Sequence, residues 1–244
     1  MSEKDPYLVP GLARGLAALR SFTPQNPENG LGDIAGSLGI TRSAAFRTVH
    51  TLVSEGYLLE VPGKARYRLG PQVLGLSYGF LASRELLEVA QKPLEALRDD
   101  LDWSTHLGVL DRQHVLYLIR YPATDGLSSL VHVGSRLPAP QTAMGRLLLS
   151  QKTEREIRRL MADRPAGDVQ AMLANRERDC RTETVVHEGQ FESGLCSVAA
   201  PVRDMSGAVI AAISATKAAP SLDEDVKREA LKAARAISRG LGAE

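Results

Sequence analysis

Residues 31–70 read LGDIAGSLGI TRSAAFRTVH TLVSEGYLLE VPGKARYRLG. Leu31, Ile34, Ala35 and Leu38 recur at helical spacing, which predicts a helix with one apolar face. Gly39 follows at once, and glycine accepts the left-handed backbone that a tight turn between two helices needs. Thr41 is a good N-cap for the next helix, because its hydroxyl can accept an orphan amide proton. Ala45, Val49, Leu52 and Val53 make that second helix's buried stripe, and Gly56 stops it. Then come two short strand-like runs, 57–60 and 66–69, around a basic tip. The order is helix, turn, helix, hairpin, which is a winged helix-turn-helix.

That pattern names a partner, double-stranded DNA. Arg42, Ser43, Ala44, Phe46, Arg47 and His50 fall largely off the buried stripe, near the N-terminal half that meets base edges in the major groove. Arg can read guanine through two hydrogen bonds, and Ser can bond a base or a phosphate. Ala44 lets the backbone approach, and Phe46 suits a thymine methyl. Thr41, Arg42, Ser43, Ala44, Phe46 and Arg47 are therefore expected to contact DNA. Lys64 and Arg66, joined by Arg68, are expected to hold phosphates from the wing. Charge separates accordingly. Residues 41–70 carry five Lys/Arg against two Glu, whereas residues 1–40 carry three basic against four acidic side chains. Net charge is only +1 overall, so any DNA affinity comes from local charge.

Outside this module the chain is 244 residues long, room for a second domain. No apolar run approaches membrane-spanning length and MSEKDPYLVP lacks a signal-peptide core, so no membrane partner and a cytoplasmic location are expected. Cys180 and Cys196 make no disulfide framework or zinc spacing, and the five histidines form no metal motif. No cofactor and no metal are expected.

Residues 10–22 predict a first helix with Leu12, Leu16, Leu19 and Phe22 on one face, broken by Pro24, Pro27, Asn29 and Gly30. Residues 71–84 predict a linker helix, whose Tyr78, Phe80 and Leu81 suit either a second subunit or core packing. Residues 85–101 predict another helix with Pro93 as a kink or break. Strands are expected at 105–110, 114–120 and 127–133, and helices at 142–150, 153–162 and 164–180. Two further strands join through Asp204-Met205-Ser206-Gly207, and a final helix covers 222–241. The divisions are thus 7–70, 71–84 and 85–244, the last an α+β domain.

Four segments carry a family resemblance: LGDIAGSLGITRSAAFRTVHTLVSEGYL, the wing ending RYRLG, VGSRLPAPQTAMGRLLLS, and FESGLCSVAAPVRDMSGAVIAAISAT. From about residue 10 onward the chain resembles the IclR family of bacterial transcription regulators. The resemblance implies a winged helix, a linker helix and a GAF-like domain that binds a small organic effector. It also implies homodimers, often paired into tetramers, on promoters of catabolic operons, as repressor or activator. In the family, amides at a helix start hold an effector carboxylate. Here Thr142-Ala143-Met144-Gly145 matches, so Ala143 and Met144 are the implied donors. An acidic pocket position falls on Glu188, a cysteine position on Ser197, and two strand hydroxyls on Ser214 and Thr216. Ser for Cys and Glu for Asp depart from the family pattern. Apolar strands such as HLGVL and VLYLI point to a carboxylate with an apolar body, aromatic bodies included. Ser214 and Thr216 could equally bond only neighbouring strands, and Glu188 could be a loop charge.

Two competing functions remain. A hydrolase or transferase carrying a winged helix would use Ser197 or Cys196 as nucleophile and His187 as base. No nucleophile elbow, paired acids or phosphate loop accompanies them. A winged helix used only for protein contacts is opposed by the basic wing and the open Arg42/Arg47 face.

Overall fold

The computed structural model describes residues 6–76, 85–124, 131–188, 194–219 and 221–243. The chain divides into two compact units, residues 1–83 and 84–244.

The first unit contains α1 (Pro10–Arg20), β1 (Asn29–Gly30), α2 (Leu31–Leu38), α3 (Arg42–Ser54), β2 (Leu58–Glu60) and β3 (Arg66–Leu69). Local chemistry fixes the helix pair. Asp33 accepts from the Gly30 amide at 2.9 Å at the start of α2. Gly39 ends α2 with φ of 62°, and the Ile40 amide returns to the Ala35 carbonyl at 3.1 Å. Thr41 caps α3 by accepting from the Ala44 amide at 3.3 Å. Ala18, Phe22, Ile34, Val49 and Leu58 form the core.

Two details differ from the sequence reading. The breaker segment after α1 supplies a strand: β1 pairs with β3, Asn29 opposite Tyr67, giving a three-stranded wing in the order β1-β3-β2. The apolar face of α1 is only partly used. Ala18 and Phe22 are buried, whereas Leu12 and Leu16 are exposed. Residues 72–76 are helical, as a linker helix requires, but Tyr78, Phe80 and Leu81 lie outside the described residues.

The second unit is built on an antiparallel sheet in the order β6-β5-β4-β9-β8-β7. Its elements are α4 (Glu85–Leu101), β4 (Ser104–Asp111), β5 (His114–Tyr121), β6 (Arg136–Pro138), α5 (Ala143–Ser150), α6 (Glu154–Leu160), α7 (Ala166–Arg181), β7 (Val185–Glu188), β8 (Leu195–Arg203), β9 (Val209–Ala218) and α8 (Glu224–Gly240). The helix α4 runs unbroken through Pro93, which forgoes only the amide bond to the Val89 carbonyl. Of the strand expected at 127–133, residues 127–130 lie outside the described residues and 131–133 are not strand; the strand β6 that follows is Arg136–Pro138. Residues 132–135 instead make a turn, closed by Ser135 Oγ accepting from the His132 amide at 2.8 Å.

The sheet has two distinct faces. Thr105 donates to the Leu94 carbonyl of α4 at 2.9 Å, and Ser238 of α8 accepts from the Arg203 amide at 2.9 Å, so α4 and α8 cover one face. The helix α5 covers the other: Met144 and Leu147 pack with Val115, Ala199 and Ala212. This is the α+β, GAF-like arrangement that the resemblance implies.

Candidate DNA-binding and effector sites

On α3 the buried side is Ala45 and Val49. Arg42, Ser43, Phe46, Arg47 and His50 are exposed, and Ala44 is half-buried. Phe46 is 52% exposed and lies 6.1 Å from the His50 ring, so a large apolar side chain stands in solvent beside two arginines. Arg42 and Arg47 form no ion pair among the described residues. Thr41 uses its hydroxyl as the cap.

The wing is less free than its sequence implies. Lys64 pairs with Glu28 at 3.0 Å, and Arg66 donates to the Glu28 carbonyl at 2.8 Å while lying 3.8 Å from Asp33. These pairs are solvent-exposed, and such contacts are worth at most about 1 kcal/mol each. Glu28 was missed in the sequence because it meets the wing only through β1.

In the second unit, Thr142 caps α5 by accepting from the Gly145 amide at 3.0 Å. The amides of Ala143 and Met144 come before any intrahelical acceptor, and both residues are buried. The strand hydroxyls lie on the sheet face that α5 covers. Ser197 and Thr216 bond each other at 2.9 Å, and Ser214 lies 3.3 Å from His106 Nδ1. The first contact is a strand-to-strand bond of the kind weighed in the sequence.

Register alters the acidic position. Glu188 pairs with Cys196, whereas His187 pairs with Ser197. Because strand residues alternate between faces, His187 shares the register of the hydroxyls. The side chain of Glu188 lies outside the described residues. Sequence reasoning gave His187 a role only as an enzyme base and missed His106. Both imidazoles are buried, and neither Nε2 has a partner. Ser197 is bonded to Thr216 rather than to His187, and Cys196 Sγ contacts the Ala219 carbonyl at 3.2 Å. No nucleophile–base pair results among the described residues.

Burial and then the nearby Arg120 charge push the pKa of His106 down from 6.5 to about 3. Burial and Arg146 lower that of His187. Edge contact with Tyr117, at 5.4 Å and 88°, completes the setting of His106. The unfolded chain takes up the proton first, so this site is fully stabilising above 6.5 and progressively less so as pH falls towards the folded value. Between pH 6 and 4 the slope of unfolding free energy should carry about 1.4 kcal/mol per pH unit from His106. Urea melts followed by Trp103, the one tryptophan, should show that slope reduced in His106→Gln. Equal slopes would mean that His106 keeps its ordinary affinity for protons.

A second feature absent from the sequence reading braces α5. Arg146 meets Asp179 of α7 through Nε at 2.9 Å and Nη2 at 2.7 Å, and its Nη1 reaches the Val186 carbonyl at 3.4 Å.

Residues 11–62 match the IclR helix-turn-helix domain, and residues 78–242 match the bacterial transcriptional regulator IclR C-terminal domain. The chain belongs to the IclR family. Among IclR-type relatives, the Pca regulon regulatory protein of Pseudomonas putida is 32% identical, over 86% of this chain and 75% of its own. The p-hydroxybenzoate hydroxylase transcriptional activator of Acinetobacter baylyi is 30% identical, over 84% and 80%. An IclR homologue from Microbacterium hydrocarbonoxydans, solved in complex with 4-hydroxybenzoate, superimposes with a TM-score of 0.82 at 26% identity, covering 95% of this chain and 98% of that one. The first two are, by name, a regulon regulatory protein and a transcriptional activator. No helix among the described residues is long and apolar enough to cross a membrane.

Proposed function

We propose that this IclR-type chain is a cytoplasmic regulator of catabolic genes whose operator affinity is set by a small organic carboxylate. Residues 7–70 read the operator, 71–84 link, and 85–244 bind the effector. Arg42, Ser43, Phe46 and Arg47 enter the major groove, with Thr41 and Ala44 allowing close approach. Lys64 and Arg66 exchange Glu28 and Asp33 for phosphates. A homodimer, able to pair into a tetramer, matches a pseudo-palindromic site. Effector binding shifts the population between arrangements of different DNA affinity, in proportion to its differential affinity for them.

The observation that carries this reading is the buried start of α5, whose Ala143 and Met144 amides lie on the same side of the sheet as Ser197, Ser214 and Thr216. Helix-start amides suit a carboxylate, and hydroxyls suit its polar substituents. Glu188 remains a further candidate. The relatives named for the Pca regulon and for p-hydroxybenzoate hydroxylase, and the 4-hydroxybenzoate complex, favour a carboxylate on an aromatic or similarly apolar body.

The test is selection of fragments of the source genome on the purified protein at physiological salt, with and without a panel of carboxylic acids. A discrete upstream site whose occupancy changes with an acid is the expected result. Arg47→Ala should weaken that site by about 1–3 kcal/mol, the worth of one base contact. No enrichment over random DNA under any condition would overturn the reading.

A further inference from the structure

The sheet face under α5 continues two strands beyond the hydroxyls of β8 and β9, and its register there places a charge. His106 of β4 pairs with Ser214 of β9 on one side and with Arg120 of β5 on the other. A row across the sheet therefore runs Arg120, His106, Ser214, Ala199. At about 4.8 Å per strand, Arg120 and Ser214 stand roughly 10 Å apart along it. The pairing sets Arg120 next to His106 across β4 and β5, and its charge adds to burial in lowering the imidazole pKa.

Arg120 differs from the other arginines of this unit that face polar partners. Arg146 is matched by Asp179, Arg136 by Asp111, and Arg164 by Gln113 Oε1. Arg120 is half-buried and forms no ion pair or hydrogen bond among the described residues, and its Nε is enclosed with no partner. An enclosed donor on a permanent charge is destabilising unless an acceptor meets it. Its row neighbours cannot balance the charge, since neither the buried His106, whose Nδ1 meets Ser214 and whose Nε2 has no partner, nor Ser214 itself carries a negative charge. Between this point and the start of α5 the packing is largely apolar: Met144 packs over Gly108, two residues along β4 from His106, and Tyr117 stands beside both.

We infer that the effector carries a second anionic group, held by Arg120 with His106, at the end opposite the carboxylate on the α5 amides. The ligand class is a dicarboxylate with an apolar middle. A carboxylate accepts from a guanidinium through two parallel bonds, which satisfies Nε and the charge together; a hydroxyl satisfies only the bond. This inference rests on the reading of the α5 face as the effector site.

The experiment is calorimetric titration of the full chain with two series that share a body and differ at the far end. One is benzoate, 4-hydroxybenzoate and terephthalate; the other is hexanoate and adipate. Each diacid should bind at least about tenfold tighter than its monoacid, the scale of one charge-assisted contact. In Arg120→Met that gain should collapse while monoacid affinity is kept and the Trp103 unfolding midpoint of the free protein does not fall below that of the wild type, because an unmatched buried donor has been removed. Arg120→Lys should restore part of it, since it keeps the charge and loses the fork. Monoacids binding as well as diacids, or a gain that survives Arg120→Met, would overturn the second anchor alone. 4-Hydroxybenzoate gaining as much as terephthalate would also overturn it, in favour of a hydroxyl. Failure of both series to bind would remove the α5 reading, and this inference with it.

Discussion

Asp179→Ala should lower the stability of the second unit by about 3–5 kcal/mol, the cost of leaving one member of a buried ion pair uncompensated. Asp179 is 3% exposed and Arg146 about 10%, so water replaces little of what is lost. Both carboxylate oxygens are engaged, Oδ1 and Oδ2 each at 2.7 Å from Nη2. The damage extends beyond α7. Arg146 lies one turn into α5, and its remaining nitrogen reaches the Val186 carbonyl of β7. Released from Asp179, it no longer fixes the start of α5 against the sheet, so carboxylate affinity should fall together with the melting midpoint. Asp179→Asn keeps volume and one acceptor and should cost less. The double variant Arg146→Met/Asp179→Leu should regain most of the stability, because two apolar groups leave no charge behind. Urea titration read by Trp103 measures all three. An unchanged midpoint in Asp179→Ala would mean that solvent reaches Arg146 freely.

The parts legible in the sequence are those governed by nearby residues. Gly39, Thr41 and Gly56 bound the two helices through contacts within four positions, and each takes the role its chemistry predicts. The turn at 204–207 is equally local: Asp204 Oδ1 accepts from the Ser206 and Ala208 amides, and Gly207 takes φ of 79°. The parts that escaped need distant partners. Two residues, Asn29 and Gly30, become a strand only because β3 lies beside them. Lys64 and Arg66 look free until Glu28 arrives from 36 and 38 positions away. The row Arg120, His106, Ser214 depends on β4 pairing with β9 across more than a hundred residues. Glu188 and His187 differ by one position, and one position exchanges the faces of a strand. The motif match therefore falls on β7, a strand the sequence reading did not anticipate, and does not choose which of its side chains meets Ser197.

Gly145→Ala should be more damaging than its size suggests, and its sign is the informative part. Within a helix, alanine is favoured over glycine by about 1 kcal/mol, so an unobstructed substitution stabilises. Gly15 in α1 has open space around it, and Gly15→Ala should raise the stability of the first unit by up to that amount. At Gly145 the added carbon would fall 2.1 Å from the Ala139 carbonyl oxygen and 2.3 Å from Ala139 Cα. Those are backbone atoms, so no rotamer change relieves the clash. Nor can the turn at 139–141 retreat easily. Ala139 is fully buried, its amide donates to the Gln113 carbonyl at 2.9 Å, and its carbonyl accepts from the Thr142 amide at 3.2 Å. The helix must shift instead, moving the Thr142 cap and the Ala143 and Met144 amides off the sheet face. The expected loss is about 3 kcal/mol, the top of the usual range for overpacking, with carboxylate binding weakened beyond detection. Trp103-detected unfolding and calorimetry on the same variant read both effects. A stabilised Gly145→Ala protein that still binds its acid would show that α5 and the 139–141 turn approach less closely than these distances require, and the helix-start site would then lose its structural basis.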